Sequence, residues 1–188
     1  MIGMKDKCYR IAITLILIVV FFSCTSGDEK IVRNLYKERE YLVKMFKDKS
    51  VLSRGKVFYQ LSYYKGQSVN TFSFQKKDDV WGLIDDSLQY PINEIAAFST
   101  VNTADRPGYV KTIRDEFNRL LNIMGELKVD AVSAENAPLG IDMKIYFGDY
   151  KALLYIEDIN MVKNEEWKKY IRSGGKLDDN WYYVKDEL

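Results

Sequence analysis

Histidine is absent from this 188-residue chain, and its two cysteines, Cys8 and Cys24, both fall near the N-terminus. Beyond residue 24 there is neither imidazole nor thiol. That excludes Ser-His-Asp and Cys-His nucleophilic sites, imidazole general bases, and zinc sites built on His or Cys. It also excludes a disulfide, so the fold must be held by its core. No Walker A loop and no Gly-x-Gly-x-x-Gly phosphate cradle occurs. Charge of one sign is lacking too, with 28 bases against 27 acids. A chain so balanced has no global field to draw it onto nucleic acid. No nucleic-acid partner, no cofactor and no metal are expected. The longest apolar run, Ile11 to Phe22, is too short to cross a ~30 Å hydrocarbon core as a helix rising ~1.5 Å per residue.

That run does suit the apolar region of a secretory signal, preceded as it is by Lys5, Lys7 and Arg10. It ends at Phe21-Phe22-Ser23-Cys24, which resembles the lipobox of bacterial lipoproteins. Phe21 stands where Leu is commoner, an aromatic variant found in Bacteroidota-type lipoproteins. The resemblance implies cleavage before Cys24 and diacylglycerol on its sulfur, with acylation of the new amino group. Two or three acyl chains anchor a protein stably where one does not. Residues 1–23 are thus expected to be a signal peptide, 24–30 the lipidated Cys with a short tether, and 31–188 a single globular domain. Thr25 rather than Asp after the Cys points to the outer membrane, and Ser26-Gly27-Asp28-Glu29-Lys30 resembles a surface-export stretch. The periplasmic and surface faces both stay open. The ending Lys185-Asp186-Glu187-Leu188 spells an endoplasmic-reticulum retrieval signal, the alternative to an envelope location. Against it, none of the Asn residues opens an Asn-x-Ser/Thr acceptor.

The first 23 residues hold three of the 28 bases and one of the 27 acids, which leaves 25 against 26 and a net charge of −1. With 47% hydrophobic and 14% aromatic residues, a packed core is expected. Val32, Leu35, Tyr36, Leu42, Val43 and Phe46 recur at helical spacing and predict one helix over 29–49. Strands are expected at Val57–Tyr64, Asn70–Gln75 and Val80–Ile84, the last two joined by the Lys76–Asp79 turn. A short helix is read at Asn93–Phe98. The clearest helix starts at an Asp105 or Thr103 cap with Pro107 in its first turn, and carries Ile113, Phe117, Leu120 and Met124. Residues 128–134 read as a strand. Met143, Ile145 and Phe147 then alternate with polar residues, and Gly148-Asp149 turns the chain into Tyr150–Glu157. A helix from Asn164 to Arg172 and a strand at Trp181–Val184 complete the pattern. Mixed order without a β-α-β rhythm predicts an α+β fold, an antiparallel sheet with a C-terminal hairpin packed against two amphipathic helices.

Carboxylates are the chemistry that remains. Adjacent acids occur at Asp78-Asp79, Asp85-Asp86, Asp115-Glu116, Glu157-Asp158, Glu165-Glu166 and Asp178-Asp179. Neighbours on a strand point to opposite faces, so these read chiefly as solvated surface. No catalytic residue is assigned. Trp81, Trp167, Trp181 and Tyr183 are the candidate binding residues, since exposed rings dominate hot spots. The leading expectation is a non-enzymatic, membrane-anchored envelope lipoprotein working through a protein partner. A glycan- or peptide-binding module comes second and a carboxylate-dependent hydrolase third. The first predicts a flat apolar patch with a polar rim, the second a concave site holding two or more exposed rings.

Overall fold

Alternating residues such as Phe72 and Phe74, or Met143 and Ile145, build one antiparallel sheet. The computed structural model describes residues 27–148 and 151–185. Its nine strands are β1 (Lys49–Ser53), β2 (Phe58–Lys65), β3 (Ser68–Lys77), β4 (Val80–Ser87), β5 (Ala131–Ser133), β6 (Met143–Tyr146), β7 (Lys151–Tyr155), β8 (Gly175–Lys176) and β9 (Trp181–Lys185). They lie in the order β4-β3-β2-β1-β5-β6-β7-β9-β8. Four helices accompany them, α1 (Gly27–Lys37), α2 (Arg39–Phe46), α3 (Arg106–Leu127) and α4 (Glu165–Ser173). The protein is α+β, and the expected C-terminal hairpin is β6–β7, paired from Met143↔Tyr155 to Tyr146↔Ala152. Its turn residues Asp149 and Tyr150 lie outside the described residues. The chain divides after Lys37, so that α1 belongs to one unit and the sheet with α2–α4 to the other.

Several boundaries differ from the pattern. The helix expected over 29–49 is two helices, interrupted at Glu38, whose ψ of 12° departs from the helical value. Residues 27–30, expected in a tether, are the first turn of α1. Lys49 already belongs to β1, a strand hidden because apolar helix spacing runs up to Phe46 just before it. The helix expected at 93–98 is a pair of 3-10 turns, Ile92–Glu94 and Ala96–Phe98. The two-residue β8 follows the glycines that end α4.

Register assigns each residue to a face. On the first face Phe72, Leu61, Val51, Val132, Ile145, Leu153 and Tyr183 form one row across seven strands. Helix α3 lies over the β2–β4 end of this face. Asp105 caps it by accepting from Gly108 N at 3.2 Å, which satisfies one orphan N–H of the first turn. Lys128 ends it in a left-handed conformation. Phe117 of α3 stacks on Phe74 with centroids 3.9 Å apart, and the edges of Tyr59 and Trp81 close around it. Phe98 packs edge-on against Tyr63 and Phe72. On the second face, α4 is capped by Asn164, which accepts from Glu166 N and Trp167 N. Its Ile171 is buried with Ala152, Leu154, Ile156, Val162, Tyr182 and Val184, while Trp167 and Tyr170 pack at the margin.

Candidate functional site

The four candidate aromatics do not converge. Trp81 is half-buried at the edge of the α3 core, 5.2 Å from Tyr59 and 5.6 Å from Phe117 between ring centroids. Trp167 lies on the second face, where its ring and that of Tyr146 flank the Lys144 ammonium at 5.1 and 4.9 Å. Trp181 is buried and tilted against Tyr155. Tyr183 sits on the first face against Phe147. None of the three Trp is exposed. Cys24, the expected lipidation site, and most of the Lys185–Leu188 motif lie outside the described residues.

Three shallow clefts accompany these residues without joining them. One of about 360 Å3 runs between Tyr170 and Tyr183. One of about 310 Å3 lies between Arg39 and Val43 of α2 and the Tyr155–Trp181 pair. A third, also about 360 Å3, is lined by Asp48, Tyr64, Gln67, Pro138 and Lys163. Partial desolvation, reinforced by Glu157 and Asp142 against the opposing charge of Lys47, lifts the Asp48 carboxyl above its ordinary value. Among the described residues Asp48 is the one carboxylate that lines that cleft, whereas glycoside hydrolysis uses a pair.

The adjacent acids separate as their elements dictate. Asp86 faces α3 from the first face, where Tyr109 and Arg106 donate to it, while Asp85 lies on the opposite face. Burial opposes the Asp86 charge, but those two hydrogen bonds override it and hold the carboxyl below the usual range. The Tyr109 phenol is pushed up by burial and by its bond to Asp86. Asp115 is exposed and pairs with Lys111 at 2.6 Å, whereas Glu116 is buried. Glu116 accepts from Arg119 at 2.7 Å on each oxygen and from the Tyr63 hydroxyl at 3.3 Å. Lys49 Nζ stands 3.9 Å away and donates to the Met45 carbonyl. Burial lowers the Lys49 amine despite the Glu116 charge, and raises the Tyr63 phenol. Asp178 accepts from Asn180 N and Trp181 N, so it caps a turn. Among the described residues no group of three or more Asp, Glu, His or Cys is placed to hold a metal.

Sequence reasoning missed the Glu116 cluster. A signal existed, because Glu116 sits between Ile113 and Phe117 on the apolar stripe of α3, where an unpaired acid would be costly. It also missed the surface that stands out most. On the second face of β2–β4, Gln60, Thr71, Ser73 and Gln75 lie half-buried or exposed. Phe58 and Val80 share that face, and Ile84 occupies the bulge of β4; they are 38%, 59% and 54% exposed. Between them is Gly82, where an added Cβ would meet only the Gln75 carbonyl at 3.8 Å. Exposed apolar residues here thus stand among polar ones. No protein family, curated protein or solved structure matches the chain.

Proposed function

We propose that this protein is a lipid-anchored component of the cell envelope that acts without catalysis, by docking another protein on the open face of β2–β4. The observation that carries the docking reading is the makeup of that face. Phe58 and Val80 stand exposed among Gln60, Thr71, Ser73 and Gln75, and the bulge of β4 exposes Ile84. An apolar cluster with a polar rim suits a protein interface, whereas a small ligand needs enclosure and convergent polar groups. The glycan and peptide reading needs rings that meet, and Trp81, Trp167, Trp181 and Tyr183 are dispersed. The anchor rests on the resemblance of Phe21–Cys24 to a lipobox, and the outer membrane on Thr25.

The test uses the full chain in its own cell, with a photoreactive side chain at Ser73 or, on the opposite side, at Lys111. One protein crosslinked from Ser73, absent from Lys111 and lost with Phe58→Asp, is the expected result. Equal capture from both positions, or none, overturns the reading. Cys24→Ala should abolish lipid labelling and membrane fractionation; unchanged retention sinks the anchor.

A further inference from the structure

The cleft lined by Asp48, Tyr64, Pro138 and Lys163 holds two opposite charges that nothing in the fold answers. The Asp48 carboxyl and the Lys163 ammonium make no hydrogen bond and no ion pair among the described residues. They stand too far apart to pair with each other. Lys47, the base next to Asp48, is committed to Glu157. Desolvation, with Glu157 and Asp142, outweighs Lys47 and leaves the Asp48 charge under-compensated.

The walls of this cleft are held by backbone contacts. Asp48 takes a left-handed φ of 61°, and its carbonyl accepts from Tyr64 N at 2.8 Å. That bond continues the β1–β2 ladder past Lys49↔Tyr63 and sets Asp48 beside Tyr64. The opposite wall is the 3-10 turn Ala137–Leu139, which ends at Gly140. Gly140 has a φ of 88°, and a Cβ there would meet the Met161 carbonyl at 2.5 Å, so only glycine lets the turn lie against the segment leading to Lys163. Lys163 N donates to the Leu139 carbonyl at 3.2 Å, and Asn164, the next residue, caps α4. Tyr64 Oη accepts from Ser50 Oγ at 3.3 Å and so keeps its own proton to donate.

We propose that this cleft binds a free α-amino acid as its zwitterion. Its ammonium meets Asp48, its carboxylate meets Lys163 and the Tyr64 hydroxyl, and its side chain lies along Tyr64 and Pro138. The two unanswered charges select this class. A neutral sugar leaves both uncompensated, an anion meets Asp48, and a cation meets Lys163. The volume of about 360 Å3 lies at the small end of ligand sites. None of these residues belongs to the docking surface, so the two proposals stand or fall separately.

The test follows backbone amide resonances of the full-length protein in detergent micelles, titrated with L-leucine and, separately, with L-phenylalanine. Saturable shifts gathered at Tyr64, Gln67 and Lys163 are the expected result. Leucinamide lacks the carboxylate and N-acetyl-leucine lacks the ammonium. Each should bind about tenfold more weakly than leucine, since each loses a charge-assisted hydrogen bond. Asp48→Asn should weaken leucine by a similar factor and still fold, because Asn tolerates positive φ. Lys163→Gln should weaken leucine yet leave leucinamide unchanged, a pattern that a structural loss does not produce. No saturable shift with either amino acid, or shifts confined to other elements, overturns the site. Equal binding of leucine and its two derivatives overturns recognition of the charges. Tighter binding of alanyl-leucine than of leucine overturns the free amino acid and gives the cleft to peptide ends.

Discussion

The two ends of this sheet bury themselves differently. In β6 and β7 consecutive residues are buried, Met143, Lys144 and Ile145 on one strand and Ala152, Leu153 and Leu154 on the next. Strands that hide both faces lose the alternation of a half-exposed strand. In β3 the pattern persists, while β2 hides Leu61, Ser62 and Tyr63 in a row and opens only toward its ends. Leu61, Phe72 and Phe74 are buried toward α3, and Gln60, Thr71 and Ser73 on the other side remain partly open. The β6–β9 end is built as interior. The β2–β4 end keeps part of one face at the surface, and that difference is where the docking proposal is placed.

The largest effect comes from placing a charge on the second face at each end. Leu154→Asp buries a carboxylate with no partner beneath α4 and should cost more than about 4 kcal/mol, enough to unfold a small domain. Ser73→Asp, on the same face at the open end, should stay within about 0.5 kcal/mol. Urea denaturation of both variants checks this, and similar losses would mean that the β2–β4 face is covered. Next in size, Phe117→Ala should cost about 3–5 kcal/mol, because it removes the ring that Phe74, Tyr59 and Trp81 enclose. A loss near 1 kcal/mol would show α3 to be a loose cover.

Legibility followed the same division. The alternation of Phe72 with Phe74 and the stripe of α3 were readable because one side of each meets water. The β6–β7 hairpin was readable from its turn, but Lys144 was not. Its alternation with Met143 and Ile145 predicts an outward residue, and α4 instead brings Trp167 over it. Strand β1 was obscured by the helical spacing before it. The four aromatics were reasonable candidates by type, yet exposure depends on tertiary cover that a single strand or helix does not encode. Around Phe58 and Val80 the open face is made of Ser, Thr and Gln, residues that carry no local signal of function, and only the sheet order makes them neighbours.

The Glu116 cluster sharpens the comparison on the first face. Glu116→Gln leaves Lys49, whose side chain is only 16% exposed, without its acid. The expected cost is about 1–3 kcal/mol, kept modest because Arg119 is half-exposed and turns to water. Adding Lys49→Met should return part of it, since the ammonium left without its acid is then gone. A double-mutant cycle with no coupling would make the two residues independent, and the cluster would then be packing alone.

The smallest effect is one of pH and belongs to the open end. The folded-state value of Asp86 lies below its ordinary one because Arg106 and Tyr109 donate to its charged form. Its contribution is therefore fully present above the ordinary carboxylate range and fades as pH falls through the lowered folded value. Asp86→Asn should cost about 1 kcal/mol near neutrality, reduced by the solvent around the exposed Arg106, and progressively less in acid. The measurement is the stability difference between the two proteins at several pH values. A difference that stays constant into acid would mean that Asp86 acts as a neutral hydrogen-bond acceptor. The ionic tie between α3 and β4 would then be removed, and aromatic packing alone would hold that helix over the first face.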